Sequence, residues 1–186
     1  MNDYIKSLVD AKKLDISLKP NRWKFDHNPY IISGPCSVES EEMIVDWAHK
    51  MKNAGVNALR GGAYKPCTYP ITEEVGTDGW KEGLREDGLK FLRIASEETG
   101  LPIVSEIMDS NQINELSMDC IDIIQVGTRN FQNYTLLDAL GELDIPILLK
   151  RGTWGTIDEI LGAVERILVR GNEKVAICLR GVVGAP

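Results

Sequence analysis

The sequence predicts an α/β fold built on a parallel sheet, and three observations lead to this prediction. Short apolar segments that are typical of strands alternate with segments whose apolar residues recur at helical spacing. The connections between these segments are short. Two of the predicted strands, Ile-Ile-Gln-Val at 123–126 and Ile-Leu-Leu-Lys at 147–150, are apolar along most of their length, as in strands that helices cover on both faces.

The predicted elements alternate from about residue 30 onward. The first helix carries apolar residues at helical spacing from Met43 to Met51, and Gly55 ends it. We expect the N-terminal extension at 1–28 to precede a single barrel-like domain at 29–186. The predicted strands are 30–33, 58–59, 102–105, 121–126, 146–149 and 175–179. The predicted later helices are 88–99, 110–116, 133–140 and 156–170.

Composition excludes several classes of protein. The net charge of −7 and the scattered acidic residues argue against nucleic acid as a partner, because its binding requires a basic stripe. There is no apolar run of about eighteen residues and no charged-then-apolar leader at Met1, so we expect neither a membrane span nor a secretory signal. The four cysteines show no CxxC spacing, which argues against a disulfide framework. These features predict a cytoplasmic protein.

Polar residues end nearly every predicted strand. This pattern favours a (β/α)₈ barrel, whose site is built from many loops at the carboxyl ends of the strands. An open sheet that binds a dinucleotide would instead carry a Gly-x-Gly-x-x-Gly turn, which this chain lacks. Because about six strands precede the last residue, the barrel is expected to be incomplete. The residues that end the strands are Cys36, Arg60, Glu106, Arg129, Lys150 and Arg180.

Most of these strand-end residues are cations. Since the carboxyl ends of parallel strands share one rim, we expect the cations to converge on one pocket. On an acidic protein, converging cations predict a small, multiply charged anion, such as a phosphorylated or carboxylated metabolite. The predicted set is Arg60, Lys65, Arg129, Lys150, Arg151 and Arg180.

Four ordered motifs resemble those of the class I 3-deoxy-D-arabino-heptulosonate 7-phosphate (DAHP) synthases, which are related to the 3-deoxy-octulosonate 8-phosphate synthases. They are Gly-Pro-Cys-Ser-Val-Glu at 34–39, Leu-Arg-Gly-Gly-Ala-Tyr-Lys-Pro at 59–66, Gln-Val-Gly-Thr-Arg-Asn at 125–130 and Leu-Leu-Lys-Arg-Gly at 148–152. The resemblance implies a transferase that condenses phosphoenolpyruvate with erythrose 4-phosphate and opens the shikimate route to aromatic amino acids. Whether this chain alone is an enzyme stays open.

The resemblance also implies roles for individual residues. Arg60, Lys65, Arg129, Lys150 and Arg180 would hold the carboxylate and phosphate of phosphoenolpyruvate, for which rigid donors of fixed charge are suited. Lys65 and Glu106 are the candidate catalytic residues, with Glu106 orienting a water molecule, although Glu106 could instead form only a structural ion pair. Cys36 would be one ligand of a divalent metal, namely Mn, Fe, Co or Zn, or else an inert thiol.

The chain departs from the family pattern at two places. The family supplies further metal ligands, a His, a Glu and an Asp, from later strands, and the two histidines, His27 and His49, match none of them. Cys67 stands where the family usually has an Arg that holds the phosphate of the aldehyde. Thr68 remains there and Arg151 could compensate, so erythrose 4-phosphate is still the expected phosphorylated aldose.

These departures leave alternatives open. The chain could be a catalytically inactive phosphoenolpyruvate-binding or assembly subunit, or a fragment of a longer synthase. We expect a homo-oligomer or a chain that needs another chain to complete it. The segment 72–88, which holds several glycines among charged residues, is expected to form a mobile lid.

Overall fold

The computed structural model describes residues 29–66 and 82–180, which form two compact units. The first unit contains Pro29–Glu106 and Ile113–Asp122, and the second contains Ile107–Gln112 and 123–180. The expected N-terminal extension, Cys67, Thr68 and most of the expected lid lie outside the described residues.

The described residues of the first unit form three parallel strands and three α-helices. Strand β1 pairs with β2, and β2 pairs with β3, with Ile32 opposite Ala58 and Leu59 opposite Ile103. In chain order its elements are β1 (Ile32–Ser33), α1 (Glu41–Asn53), β2 (Ala58–Arg60), α2 (Arg85–Thr99), β3 (Ile103–Glu106) and α3 (Glu115–Cys120).

Local sequence signals set the ends of these helices. The Ser40 side chain accepts a hydrogen bond from the Met43 N–H and so caps α1. Helix α2 ends at Gly100, whose φ of 72° is in the left-handed region that glycine adopts without strain. Helix α1 buries Ile44 completely, and α2 buries Leu92 completely. The apolar faces of both helices therefore contribute to the core of the unit.

The second unit repeats the same pattern. Strand β4 pairs with β5 and β5 pairs with β6, all parallel, with Lys150 opposite Cys178. Short 3₁₀ turns occupy Ser110–Gln112 and Thr128–Asn130. The other elements are β4 (Ile123–Val126), α4 (Tyr134–Gly141), β5 (Ile147–Lys150), α5 (Ile157–Leu168) and β6 (Val175–Cys178).

Helix α5 begins at a capping box. The Thr156 hydroxyl accepts a hydrogen bond from the Glu159 N–H at 3.1 Å, and the Glu159 carboxylate accepts one from the Thr156 N–H at 2.7 Å. On the buried face of α5, Ile160 and Ile167 are at most 1% exposed. Further along, Arg166 and Arg170 both donate to Asp138 of α4, which joins the two helices.

The predicted strands are confirmed, and one predicted helix is wrong. In place of a helix at 110–116, the chain forms the 3₁₀ turn Ser110–Gln112 and then α3 at Glu115–Cys120. The polar side chains of this segment bond to nearby backbone, which competes with a continuous helix. The Gln112 side chain accepts from the Met108 N–H at 2.8 Å, and the Asn114 side chain accepts from the Ser117 N–H at 3.0 Å.

Two of the cysteines differ in burial. Cys120 is buried and Cys178 is half-buried. Burial raises the pKa of the Cys120 thiol.

Within the described ranges, every helix falls short of the length and apolar character needed to cross a membrane.

Candidate functional site

The carboxyl ends of β1 and β2 are joined by the Arg60 side chain. Its Nη1 atom donates to the Pro35 carbonyl oxygen at 3.0 Å and to the Cys36 carbonyl oxygen at 3.2 Å. The Val38 N–H donates to the Gly62 carbonyl oxygen at 3.1 Å. The structure therefore brings together two of the predicted site residues, Arg60 and the backbone of Cys36.

Glycines allow this close approach. Gly34 has a φ of 152°, and a Cβ atom there would lie 1.9 Å from the Arg60 carbonyl oxygen. A Cβ atom on Gly62 would lie 2.4 Å from the Cys36 carbonyl oxygen. Both distances are far shorter than van der Waals contact, so any larger residue would push the two loops apart.

Lys65 lies in the loop that follows β2. Its Nζ atom donates to the Pro66 carbonyl oxygen at 2.8 Å. The loop is tied to the start of α2, because the Gly83 N–H donates to the Lys65 carbonyl oxygen at 2.9 Å. Beside Lys65, the buried Tyr64 donates to the Glu86 carboxylate at 3.4 Å, and burial raises the pKa of the Tyr64 phenol above its usual range.

Glu106 is the last residue of β3 and is only 4% exposed. The residue before it, Ser105, accepts a hydrogen bond from the Ala63 N–H at 3.3 Å. This bond fixes the end of β3 against the loop that carries Lys65. The arrangement puts a buried carboxyl group at the strand end where the sequence predicts it, and its catalytic role stays a prediction.

The described residues do not by themselves fit a metal ion. Cys36 is exposed, and no three His, Cys, Asp or Glu side chains within 29–66 and 82–180 lie close enough together to hold one. His49 is an exposed residue of α1, and its Nε2 atom lies 2.9 Å from the Glu98 carboxylate. The metal expected at Cys36 stays a prediction, and no step of the chemistry is derived through it.

Arg60 also carries a buried donor. Its Nε atom is buried and has no hydrogen-bond acceptor in the described part of the chain. A buried donor without an acceptor costs about 1–3 kcal/mol, which an anionic ligand could offset.

The second unit carries the remaining predicted cations at the ends of β4, β5 and β6. Arg129 is exposed in the 3₁₀ turn that follows β4. Lys150 ends β5 and is half-buried. Arg180 is exposed two residues after the end of β6.

Hydrogen bonds connect these strand ends to one another. The Arg151 side chain donates from Nη1 to the Gly155 carbonyl oxygen at 2.6 Å and from Nη2 to the Arg180 carbonyl oxygen at 3.1 Å. The Arg180 side chain donates from Nη1 to the Thr128 hydroxyl at 2.9 Å. Arg151 and Arg180 are thus brought together, and Arg180 is held next to the turn that contains Arg129.

The predicted residues fall into two sets. Cys36, Arg60, Lys65 and Glu106 belong to the first unit, and Arg129, Lys150, Arg151 and Arg180 belong to the second. That both sets share one pocket stays a prediction, and Thr68 lies outside the described residues.

Sequence reasoning missed two small polar residues near strand ends, Ser105 in the first unit and Thr128 in the second. Both accept hydrogen bonds that hold predicted site segments. A hydroxyl at or just after the end of a strand was the signal available for finding them.

The chain matches a family model described as the DAHP synthetase I family over residues 20–185. It is 43% identical over 152 residues to the phospho-2-dehydro-3-deoxyheptonate aldolase of Thermotoga maritima, covering 82% of this chain and 42% of that protein. It is 28% identical to a 2-dehydro-3-deoxyphosphooctonate aldolase of Campylobacter jejuni, covering 77% of this chain and 52% of that protein. The chain therefore spans about half the length of these relatives.

Solved structures agree with these sequence matches. The crystal structure of the T. maritima phospho-2-dehydro-3-deoxyheptonate aldolase (DAHP synthase) superposes with a TM-score of 0.72 at 42% identity, covering 82% of this chain and 42% of that one. A truncated form of the T. maritima 3-deoxy-D-arabino-heptulosonate 7-phosphate synthase gives a TM-score of 0.70 at 40% identity, covering 83% of this chain and 53% of that one. The predicted fold class, an α/β (β/α)₈ barrel that is incomplete here with six strands, is confirmed.

Proposed function

Because the chain belongs to the DAHP synthetase I family, we propose that it takes part in the condensation of phosphoenolpyruvate with erythrose 4-phosphate. The product would be 3-deoxy-D-arabino-heptulosonate 7-phosphate. The chain spans 42% of the T. maritima relative, so this activity is proposed for an assembly or a longer protein that contains the described strands.

The reaction forms one carbon–carbon bond and replaces the carbon–oxygen bond to phosphate with a carbon–oxygen bond to the oxygen of water. The methylene carbon of phosphoenolpyruvate attacks the aldehyde carbon, and the aldehyde oxygen takes a proton to become a hydroxyl. Water adds to the former enol carbon, which becomes the ketone carbon as inorganic phosphate leaves from it. The two protons of the water go to the aldehyde oxygen and to the phosphate. The site must therefore bind two anions, stabilise charge on the aldehyde oxygen and orient a water molecule.

The observation that carries the proposal is the set of cations at three adjacent parallel strand ends of the second unit. Arg129 and Arg180 follow β4 and β6, and Lys150 ends β5, which pairs with both of those strands. A planar guanidinium matches a carboxylate or phosphate with two parallel hydrogen bonds. This rim suits phosphoenolpyruvate, which carries both groups.

The first unit supplies the remaining proposed roles. Arg60 and Lys65 would add cations, and the buried Nε donor of Arg60 supports an anionic ligand there. Glu106 would orient the water molecule from its buried strand end.

We also propose a divalent metal, Mn, Fe, Co or Zn, with Cys36 as one ligand. The other ligands would have to come from outside the described residues. Titration of the protein with Co²⁺ should give a thiolate-to-metal absorption band that Cys36→Ser removes and that Cys120→Ser leaves in place. An identical band in Cys36→Ser would contradict the assignment.

A second candidate is phosphoenolpyruvate binding without turnover, in an assembly subunit or a chain that needs completion. The half-exposed strand β6, with Ile177 at 37% exposure, is where a further chain would add to the sheet.

Turnover distinguishes the two candidates. The measurement is phosphate release from phosphoenolpyruvate with and without erythrose 4-phosphate, on the protein in its natural assembly. We expect release that requires the aldehyde, and we expect Glu106→Gln to reduce it about a hundredfold or more while phosphoenolpyruvate still binds. Glu97→Gln, at an exposed site on α2, is the matched control and should leave the rate unchanged.

Either result is informative about function. Phosphoenolpyruvate binding without aldehyde-dependent release would reject the synthase and favour the binding subunit. A Glu106→Gln protein as active as the control would reject the role of Glu106 and retain the reaction.

A further inference from the structure

Arg151 forms hydrogen bonds that connect two segments of the second unit. Its guanidinium donates to two main-chain carbonyl oxygens, at Gly155 in its own loop and at Arg180 after the next strand. Its own N–H donates to the Cys178 carbonyl oxygen at 3.1 Å, which continues the pairing of β5 with β6. Arg151 therefore joins the loop after β5 to the segment after β6.

The segment that Arg151 holds contains Arg180, one of the proposed phosphoenolpyruvate ligands. The Arg180 main chain is fixed by the bond from Arg151 Nη2, and the Arg180 side chain is fixed by its bond to the Thr128 hydroxyl. These two contacts act on different parts of one residue. Together they determine both the position and the direction of an otherwise exposed guanidinium.

The loop after β5, which carries Arg151, is tightly packed. Phe131 packs against it so closely that a Cβ atom on Gly152 would lie 2.3 Å from the Phe131 ring, and one on Gly155 would lie 2.7 Å from it. The Gly155 N–H also donates to the Gly152 carbonyl oxygen at 3.1 Å, which closes a tight turn. Arg151 thus reaches Arg180 from a rigid base.

We infer that Arg151 and Thr128 are positioning residues, which hold the Arg180 guanidinium in the orientation that binds the anionic substrate. For the identity of that substrate, the inference rests on the proposed function. It gives Arg151 a role through Arg180, in place of direct contact with the phosphate of the aldehyde. It also gives a role to the Thr128 hydroxyl, which lies beside Arg129 in the turn after β4.

The test uses double-mutant cycles on phosphoenolpyruvate affinity, measured by calorimetric titration. Thr128→Val removes the acceptor at nearly constant shape, and we expect it to weaken binding roughly threefold to tenfold, the size of one hydrogen bond. Thr128→Ser should restore affinity. Arg151→Lys, which cannot donate in two directions from a planar group, should weaken binding by a similar factor.

Coupling to Arg180 is the decisive feature. In an Arg180→Ala background, Thr128→Val and Arg151→Lys should cause no further loss, because each acts through the guanidinium that is already gone. The matched controls are Thr135→Val at an exposed site on α4 and Arg170→Lys beside Asp138, and neither should change affinity. Full, additive losses in the Arg180→Ala background would overturn the inference.

A second readout needs no substrate. In the ligand-free protein, the ¹⁵N side-chain signal of Arg180, assigned with Arg180→Lys, should shift in Thr128→Val and in Arg151→Lys and stay in place in the two controls. An unchanged signal in both would overturn the inference even if affinity falls. If the wild-type protein does not bind phosphoenolpyruvate, the proposed function fails, and the Arg180 signal alone decides whether Arg151 and Thr128 position that residue.

Discussion

Glycine determines how closely the loops around Cys36 approach each other. A Cβ atom on Gly34 would meet the Arg60 carbonyl oxygen at 1.9 Å, and the collision involves backbone that cannot rotate away. We therefore expect Gly34→Ala to reduce the free energy of unfolding by roughly 1–3 kcal/mol or more. The measurement is urea denaturation followed by circular dichroism.

Gly162 provides the control for that experiment. It lies within α5, and a Cβ atom there would have no heavy atom within 4 Å. Gly162→Ala should raise the free energy of unfolding by up to about 1 kcal/mol, because alanine is the better helix former. A Gly34→Ala protein as stable as the wild type would contradict the close approach of the two loops.

Single residues also show where sequence reasoning ends. The sequence placed Arg151 correctly after a strand and identified it as a cation that could bind phosphate. Its partners, the carbonyl oxygens of Gly155 and Arg180, depend on the path of two loops that no local pattern specifies. The residue types at the strand ends could be predicted from the sequence. The hydrogen-bond partners of each residue could not.

Helix α5 begins at a feature that the sequence contains in full. Thr156 and Glu159 form reciprocal hydrogen bonds with each other's backbone at its first turn. Thr156→Ala should lower the free energy of unfolding by about 1 kcal/mol. Thr156→Ser should retain most of the stabilisation from the cap, since the Ser hydroxyl is the same kind of acceptor. Thermal or urea denaturation of the two variants side by side measures the difference, and equal losses in both would show that the cap does not act through its hydroxyl.

The contact between α4 and α5 should make stability depend on pH. The hydrogen bond from Arg166, together with that from Arg170, lowers the pKa of Asp138 below its ordinary value of 3.8. Because the pKa of Asp138 is lower in the folded state than in the unfolded state, its charged form stabilises the fold. This stabilisation is complete at pH values above the unfolded-state pKa, and it is lost as the pH falls through the folded-state pKa. The stability difference between wild type and Asp138→Asn should therefore shrink below about pH 4.

Asp144 is the control for this prediction, because it pairs with Lys174 while 92% exposed. Urea denaturation of both Asn variants at several pH values gives the comparison. A constant difference between wild type and Asp138→Asn across the acid range would show that the Arg166 contact does not favour the charged carboxylate.

The secondary structure could be predicted well where apolar periodicity is strong and poorly where polar side chains cap the backbone. All six strands lie within about two residues of their predicted places, because buried parallel strands are short apolar runs. The predicted helix at 110–116 is wrong, because Gln112 and Asn114 accept hydrogen bonds from local N–H groups, which residue spacing does not reveal.

The described residues form two βα units, and each unit carries residues that the proposed function uses. The fold class followed from alternation and strand-end residues, and the family from four ordered motifs. The completeness of the barrel and the partners of the rim residues depend on contacts between distant segments. The central claim is that strand-end cations of both units bind phosphoenolpyruvate.

Calorimetric titration with phosphoenolpyruvate, with and without Mn²⁺, tests that claim most directly, with light scattering on the same sample to establish its oligomeric state. We predict that Arg60→Ala in the first unit and Arg129→Ala in the second each weaken binding about tenfold or more. Lys90→Ala, which removes an exposed cation on α2 that pairs with Asp87, should leave the affinity unchanged. Wild-type affinity in both Arg60→Ala and Arg129→Ala, or no binding by a well-folded wild-type protein, would contradict the account.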